Sequence, residues 1–537
     1  MRLLIGLTAL AFGCAASLGA TPVINGIINA ASWLPTALPN SGIAQGAMFI
    51  VSGSGLGPST LQSAHGYPLP TTEGLAGTTI KVEVAGVIET CPMLYTYTGQ
   101  VAAVLPSPTP IGTGTLTLSY KDSSSAFAIQ VVAASFGTFA LNEDGSGPGI
   151  FTDLTYHVIT MTNAAHPGQT LVIWGSGLGA ITAPDDQGSP IGNLDVGEVK
   201  VLIGNQLVTP IYAGRSGYPA EDQIDFTIPA GITPACKTTV AVVVKGVTGN
   251  VTTISIAPEG QTTCGDTFNA LTAANLQKAV STGSLNLGAV ELSHVAGHDD
   301  TLGAAFLSFP TDSLIRSFGG TTSPSIGNCI AYETYAPTLN VTDPIQPTFL
   351  HTGTELTLTG PNGNKNIPEF STGIYADILA SAAPFYLSPG DYTVTNGAGG
   401  SNVDSFTWNL TLPTAVVPTN LPVSINATQD LTLTWTGGSA FQFVTIFGYS
   451  AVPVTLTDFS WVEFICTADA SAGSFTIPYP ILKLLPTNGY GAFGVPGVSL
   501  QIAGVAESHF TVAGSPGIND GFFTAFIATG AIATVEQ

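Results

Sequence analysis

The chain has 537 residues, of which 8% are charged and 45% hydrophobic, and its 11 basic and 34 acidic side chains give a formal net charge of −23. This balance provides no basic surface, so nucleic acid is excluded as a partner and an anionic membrane surface is disfavoured. The length predicts about three or four domains, and the high apolar content argues against intrinsic disorder.

The first twenty residues are typical of an export signal. Arg2 supplies one positive charge, an apolar run covers residues 3–18, and small residues follow, which predicts a secretory signal peptide cleaved after Ala20. The alternative is a lipoprotein signal that uses Cys14, although Ala11 stands where such signals usually carry leucine. The run is too short to predict a membrane span. We therefore expect a secreted or cell-surface protein with no transmembrane segment after signal cleavage.

An internal repeat organises the first half of the mature chain. The segment 46–57, with the sequence Gly-Ala-Met-Phe-Ile-Val-Ser-Gly-Ser-Gly-Leu-Gly, returns as 168–179 at an offset of 122 residues. Downstream, the Gln…Pro segment 100–106 returns as 223–229 at an offset of 123 residues. Both copies join a strand-like apolar run to a glycine-rich turn, in which glycine accepts positive φ and lets the chain reverse. Two segments of domain length therefore share one plan.

Short alternating segments continue to the end of the chain. Most alternate apolar residues with Thr or Ser, the period of two that marks a half-buried strand, and Gly- and Pro-containing turns separate them. Strong helical candidates are confined to 268–279 and 481–485. We predict an all-β protein of tandem immunoglobulin-like β-sandwich domains. The predicted units are a signal peptide at 1–20, sandwiches at 21–149 and 150–264, a junction at 265–287, and β-regions at 288–413 and 414–537, with one larger sandwich pair as the alternative for the last two.

The first half also resembles a family of secreted proteins. Asn29-Ala30-Ala31-Ser32 precedes the first repeat motif, Pro148-Gly149-Ile150-Phe151 precedes the second, and Trp174-Gly175-Ser176-Gly177-Leu178-Gly179 lies within the second. In this order, over residues 22–264, the motifs resemble the uncharacterised Solibacter-type domain of acidobacterial proteins, and the Gly-Ser-Gly-Leu-Gly turn is similar to IPT/TIG modules. The resemblance implies export and an immunoglobulin-like sandwich, and it carries no catalytic residues.

Five cysteines follow the signal, an odd number that leaves at least one thiol free or paired with another chain. Export favours disulfides. Cys236 and Cys264 flank a two-strand segment at the end of the second repeat, so we predict that they are paired. Cys329–Cys466 is the second candidate pair, and Cys91 remains. In the family that the first half resembles, a cysteine pair similar to Cys236–Cys264 closes the second module.

One cluster of side chains could bind a metal ion. His294, His298, Asp299 and Asp300 offer imidazole and carboxylate ligands, but Gly297 and the surrounding β-pattern favour a solvated loop. The sequence contains neither the Gly-x-Ser-x-Gly motif of a nucleophile elbow nor a Walker loop. We therefore predict no catalytic residues, no cofactor and no metal.

The tryptophans bear on a different kind of site, because exposed aromatic rings can stack on sugars. Trp33 lies in a loop-like stretch before Pro35 and is the best candidate for an exposed ring that contacts a ligand. Trp174, Trp408 and Trp435 lie inside strands, where burial in a sandwich core is expected.

Taken together, these patterns favour a secreted, non-catalytic protein of several immunoglobulin-like domains that acts in extracellular binding, adhesion or surface assembly. Its partner would be an extracellular protein or a polysaccharide. Two alternatives stay open. One is a carbohydrate-binding protein accessory to polysaccharide degradation, and the other is a secreted hydrolase with an unrecognised site near His294 and His298.

Overall fold

The computed structural model describes residues 21–188, 192–194, 198–266, 271–295, 299–311, 323–335, 347–438, 441–455, 457–491 and 494–537. Of the residues that the structure describes, about 53% are in strands and 4% in helices, which confirms the predicted all-β class of immunoglobulin-like sandwiches. The predicted signal peptide, including Cys14, lies outside the described residues. Each repeat forms one β-sandwich, and the second half of the chain forms a larger β-body.

The first repeat folds into two facing sheets. Its strands are β1 (Val23–Asn29), β2 (Ile43–Ala44), β3 (Met48–Ser54), β4 (Gln62–Ser63), β5 (Thr78–Val84), β6 (Val87–Thr90), β7 (Met93–Thr96), β8 (Gln100–Val104), β9 (Gly112–Tyr120) and β10 (Ser123–Val132). Sheet 1A has the order β1-β3-β8-β7-β4, and sheet 1B has the order β2-β10-β9-β5-β6. Alternation creates the core between them, since Ile80 and Val82 of β5 are fully buried while Lys81 is exposed.

The second repeat uses the same arrangement. Its described strands are β11 (Gly137–Thr138), β12 (Phe151–Thr152), β13 (Thr170–Ser176), β14 (Gly192–Asn193), β15 (Val199–Ile203), β16 (Gln206–Val208), β17 (Tyr212–Arg215), β18 (Asp222–Thr227), β19 (Ala235–Val244), β20 (Val247–Thr248) and β21 (Thr252–Ile256). Sheet 2A has the order β11-β13-β18-β17-β14 with β12 also on β13, and sheet 2B has the order β16-β15-β19-β20 with β21 also on β19. The two copies of the repeat motif, β3 and β13, occupy equivalent places beside β8 and β18.

The boundary between the two sandwiches differs from the predicted one. Strand β11 pairs with β13, and Phe136 lies in the core of the second sandwich. The second sandwich therefore begins soon after β10 ends at Val132, earlier than the predicted boundary at residue 149.

The second half begins with helix α1 (Ala273–Thr282), where a helix was predicted over 268–279. Thr272 caps its start by accepting a hydrogen bond from Asn275 N, and Gly283 ends it at φ +84°. The remaining elements are β22 (Ser284–Val295), β23 (Asp300–Pro310), β24 (Asn328–Tyr335), β25 (Thr348–Phe349), β26 (Glu355–Gly360), β27 (Gly363–Ser371), β28 (Ile374–Ala380), β29 (Gly390–Thr395), β30 (Thr407–Leu412), β31 (Val417–Pro418), β32 (Ser424–Asn426), β33 (Leu431–Thr436), β34 (Phe443–Pro453), β35 (Phe459–Asp469), a 3-10 turn (Ala470–Ala472), β36 (Ser474–Ile477), α2 (Tyr479–Leu482), β37 (Val498–Val512) and β38 (Ile518–Glu536).

One continuous sheet crosses the boundary predicted at residues 413 and 414. Its order is β24-β35-β34-β37-β38-β22-β23-β28-β27-β26-β29-β30, with β25 on β23 and β32 on β38, and a small sheet β31-β33-β36 lies beside it. The long hairpin β37–β38 joins strands of both predicted regions, because β37 pairs with β34 while β38 pairs in parallel with β22. The second half is therefore one β-body, and the boundary predicted at residues 413 and 414 does not divide it.

The three bodies meet at the loop of the first repeat that follows β1. Leu38 of this loop is buried in the same cluster as Leu202 of the second sandwich and Ala331 of β24. Asn40 Nδ2 donates to Thr248 O at 3.0 Å, and Thr36 O accepts from Ser460 Oγ at 2.6 Å. Strand β19 is buried along its whole length, because the second half covers its outer side.

Both predicted disulfides are present. Cys236–Cys264 joins β19 to the segment that ends the second repeat, and Cys329–Cys466 joins directly paired residues of β24 and β35. Cys91 is a free, buried cysteine in the core of the first sandwich. The first repeat is thus folded without a disulfide, whereas a disulfide cross-links the second repeat.

Candidate functional site

A buried ion pair fixes the junction between the two repeats. Arg215 and Asp222 lie on neighbouring strands, are almost fully buried and contact each other directly. Asp222 Oδ2 accepts from Gly177 N at 2.7 Å and from Leu178 N at 2.8 Å, which holds the glycine-rich turn of the second repeat. Arg215 Nη2 donates to Gly179 O of this turn and to Gly46 O of the first repeat. The same pair therefore ties one repeat motif to the other.

Further buried polar contacts reinforce the junction. Ser176 Oγ donates to Ala220 O at 2.6 Å and accepts from Met48 N at 2.9 Å. Asp185 Oδ2 accepts from Ser107 N at 2.7 Å, and its other oxygen accepts from Ser107 Oγ at 2.8 Å. Burial raises the pKa of Asp185. Because these contacts satisfy backbone groups of both repeats, they define how the two sandwiches are placed.

A groove of about 470 Å³ opens beside these contacts, and we call it the junction groove. Tyr67 is 53% exposed and Tyr218 is 60% exposed, so both rings are accessible from solvent. Burial raises the pKa of Glu221, which also lines the groove. The walls come from both repeats, namely His65, Tyr67 and Leu94 of the first and Tyr218, Pro219 and Glu221 of the second.

The solvent-facing side of sheet 2A carries a second candidate site, which we call the aromatic face and define by Tyr156, Trp174, Tyr212, Gln223 and Asp225. The rings of Tyr156 and Trp174 have centroids 6.0 Å apart and are inclined by 32°. Trp174 and Gln223 are direct cross-strand partners. Gln223 Nε2 donates to Asp225 Oδ1 at 2.8 Å. Aromatic and hydrogen-bonding side chains therefore lie side by side.

The equivalent side of sheet 1A is covered. Ile28, Ile50 and Ala102 are buried there beneath partly buried neighbours that include Trp33 and Tyr95. At the position of Trp174 the first repeat has Ser52, which is 7% exposed. The chain has thus used one face of the shared fold for packing and has left the other open.

The structure corrects two expectations about tryptophan. Trp33 was expected to be exposed, but it is half-buried in the covering layer on sheet 1A, because its loop folds back over that sheet. Trp174 was expected in a core, but it is half-buried and lies on the aromatic face, with Nε1 donating to Thr152 Oγ1 at 3.0 Å. Trp408 and Trp435 are buried, as predicted.

The predicted metal-capable cluster falls partly outside the described residues, because His298 is not described. His294 Nδ1 lies 2.6 Å from Asp300 Oδ1, and the buried Asp300 also accepts from Leu387 N at 2.6 Å. These contacts connect β22 and β23 to the segment before β29. Asp299 is half-exposed. In the part of the chain that the structure describes, no group of three or more His, Cys, Asp or Glu side chains is arranged to hold a metal ion.

Sequence reasoning missed Tyr67, Tyr218, Arg215 and Tyr156. Their roles depend on contacts between repeats or on an exposed loop, which neither periodicity nor motif spacing encodes. The position of Trp174 was encoded, because Leu171 and Ile173 face the core and strand alternation then places residue 174 on the opposite side.

No helix among the described residues is both long and apolar enough to cross a membrane. No protein-family model and no curated protein matches the chain. Among solved structures the chain is similar to a tetra-tandem repeat from the extending region of a large adhesion protein, with 14% identity over 93% of this chain and 98% of that one and a TM-score of 0.14.

Two further solved structures are similar to the chain. Immunoglobulin domains 1–4 of Sidekick-1 show 10% identity over 96% of this chain and 99% of that one, with a TM-score of 0.12. The S-layer protein SbsC shows 11% identity over 94% of this chain and 54% of that one, with a TM-score of 0.18. Likeness at this level carries no argument about what this chain does.

Proposed function

We propose that this chain is a secreted, non-catalytic protein that acts in extracellular binding or surface assembly. The observation that carries the proposal is the junction groove, which exists only because buried polar contacts hold the two repeats together. Its volume of about 470 Å³ lies in the range of small-ligand sites. Two exposed tyrosines and a half-buried carboxyl group line it, a combination of apolar contact and polar recognition that is typical of binding sites.

The remaining features fit an extracellular role. Two disulfides are present, and disulfides persist in oxidising compartments. The resemblance of residues 22–264 to Solibacter-type secreted domains also supports the proposal that the protein is exported. Asp300 is buried and His294 is partly buried, and their contacts are those of a structural pair, so they do not favour the hydrolase alternative.

The proposal is tested by co-sedimentation of residues 21–537 with intact cells of the source organism and with their extracellular matrix. We expect retention that is lost in the Tyr67→Ala/Tyr218→Ala double variant. Tyr490→Ala is the matched control, because Tyr490 is also partly exposed but lies outside the groove. Absence of retention on cells and matrix would overturn the proposal, and equal retention by the double variant would exclude the groove.

The non-catalytic part has its own test. A broad screen of hydrolase substrates, run with and without a chelator, is expected to show no turnover above buffer. Turnover that the chelator abolishes would instead favour a metal-dependent hydrolase.

A further inference from the structure

We propose that the aromatic face of the second repeat is a binding site for a neutral polysaccharide chain. The inference rests on the proposed function and names a ligand class for a surface other than the junction groove. It follows from the shape of the face, from its hydrogen-bonding groups and from its charge.

The face offers a row of side chains across four neighbouring segments, namely the turn after β12 and the strands β13, β18 and β17. Tyr156 and Trp174 are side by side at 6.0 Å. Trp174 pairs with Gln223, which in turn pairs with Gly214. A Cβ at Gly214 would lie 2.8 Å from Tyr212 Oη, so the phenol of Tyr212 occupies the space above this glycine. The row of Tyr156, Trp174, Gln223 and Tyr212 presents aromatic surface on both sides of a polar side chain.

Hydrogen bonds hold the rings of Trp174 and Tyr212 and the turn that carries Tyr156 before any ligand arrives. Trp174 Nε1 donates to Thr152 Oγ1, and Tyr212 Oη donates to Arg215 O at 2.6 Å. Tyr156 lies in a turn organised by Asp153, whose Oδ1 accepts from Thr155 N and His157 N at 2.8 and 2.9 Å. These hydrogen bonds, led by the one from the His157 backbone N–H, hold the pKa of Asp153 below its usual range. A site whose side chains are already ordered loses less entropy on binding.

The polar groups match the hydroxyl groups of a sugar. Gln223 supplies an amide and Asp225 a carboxylate, and their mutual hydrogen bond fixes the amide beside the carboxylate. A pyranose has one face of C–H groups, which suits an aromatic ring, and a rim of hydroxyl groups, which suits amide and carboxylate partners. Aromatic surface flanking a few placed polar groups is the usual composition of a ligand site.

The charge of the aromatic face favours a neutral polysaccharide over an acidic one. The strands of sheet 2A contain a single basic residue, Arg215, and it is 1% exposed and paired with Asp222. The face itself carries Asp225, and the whole chain has a formal net charge of −23. An acidic polymer would meet repulsion without a cation to offset it.

The experiment measures retention of residues 21–537 on insoluble cellulose, chitin, starch, xylan and mannan, with alginate as the acidic comparison. We expect retention on at least one neutral polymer, with an affinity that falls about tenfold in Tyr156→Ala, the loss that corresponds to one aromatic contact. Tyr156 is 71% exposed, so this variant is expected to keep its melting temperature. Tyr156→Phe retains the ring and should retain binding, and Tyr490→Ala is the matched control, because Tyr490 is exposed but lies outside both the aromatic face and the junction groove.

Trp174→Ala and Asp225→Asn complete the series and should also weaken retention. No retention on any neutral polymer, equal retention by Tyr156→Ala and Trp174→Ala, or preferred retention on alginate would each overturn the inference. If retention on cells persists while the neutral polymers are negative, only the inference fails, whereas loss of both results removes the proposed function as well. A shift from dimer to monomer in Tyr156→Ala would assign the face to a second copy of the chain and would also overturn it.

Discussion

The two repeats share a fold but treat the same sheet face in opposite ways. In the first repeat, Trp33 and its neighbours cover Ile28 and Ile50, so the face contributes to packing. In the second, Trp174 and Tyr156 lie on an open face, with Gln223 and Asp225 beside them. Core-facing residues and glycine turns are what the copies have in common. The shared positions thus form the cores and the turns, whereas the aromatic face consists of positions that differ between the two copies.

The glycine-rich turns show a second difference between the repeats. In the second repeat the Asp222 carboxylate holds the turn, and Gly177 adopts a φ of +115° to present its N–H. At the offset of 123 residues the first repeat has Gly99, whose carbonyl oxygen accepts from Gly53 N at 3.0 Å. A backbone group therefore supports one turn and a buried charge pair supports the other. Of these two supports, only the Arg215–Asp222 pair also contacts the neighbouring repeat, through the hydrogen bond from Arg215 to Gly46 O.

Breaking the ion pair between Arg215 and Asp222 should destabilise the protein the most. Arg215→Met leaves Asp222 buried without its cation and is expected to lower the free energy of unfolding by about 3–5 kcal/mol. The measurement is urea denaturation followed by tryptophan fluorescence. The double variant Arg215→Met/Asp222→Asn should recover part of the loss, because the neutral side-chain amide would still offer an oxygen to the turn N–H groups. If Arg215→Met changed stability by less than about 1 kcal/mol, the junction would not depend on the pair.

The second-largest effect concerns the disulfide Cys236–Cys264, which the second repeat has and the first repeat lacks. Replacing Cys236 and Cys264 by alanine is expected to cost about 2–4 kcal/mol, because the unfolded chain loses a cross-link that closes a loop. Hydrogen exchange should show the loss in β19 and β21 of the second repeat, with the first repeat unchanged. Uniform loss of protection across both repeats would mean that the two sandwiches unfold as one unit.

The sequence predicted these sandwiches because alternation and glycine turns are local properties. The pairing of Cys236 with Cys264 was also predicted, because the two cysteines flank a two-strand segment, whereas Cys329–Cys466 was only a second candidate. The single β-body of the second half was harder, because it depends on distant pairing. Asn286 N donates to Asn519 Oδ1 across 233 positions in the chain, and β22 and β38 meet there. Alternation specifies which side of a strand is buried and does not specify which strand lies beside it.

The candidate sites divide in the same way. Strand alternation puts Trp174 on the side opposite Leu171 and Ile173, but we predicted a buried ring because burial is usual for tryptophan inside a strand, so that prediction was wrong although the pattern contained the answer. The junction groove was not, because Tyr67 and Tyr218 belong to different repeats and meet only after docking. Trp33 shows the converse error, since a loop before proline was taken as exposed although its ring packs on a sheet.

Replacing Trp33 tests whether the covered face of sheet 1A contributes to stability and not to binding. Trp33→Ala is expected to lower the free energy of unfolding by about 2 kcal/mol, roughly half the cost for a fully buried tryptophan, because its ring covers apolar side chains on sheet 1A. Its binding to any polysaccharide should be unchanged. Trp174→Ala should show the opposite pattern, with weaker binding and a smaller change in melting temperature. Identical behaviour of the two variants would erase the distinction between a covered face and an open one.

The smallest effect concerns Cys91, the free cysteine of the first repeat. Burial raises the pKa of its thiol above the ordinary value of about 8.5. A thiol reacts as its thiolate. Raising the pH from about 7 to about 9 should therefore leave Cys91 unreactive toward a thiol reagent while the protein is folded. The check is labelling of residues 21–537 without reductant, in which one equivalent should react only after denaturation. Fast labelling of the folded protein at about pH 9 would show that the first sandwich opens under native conditions.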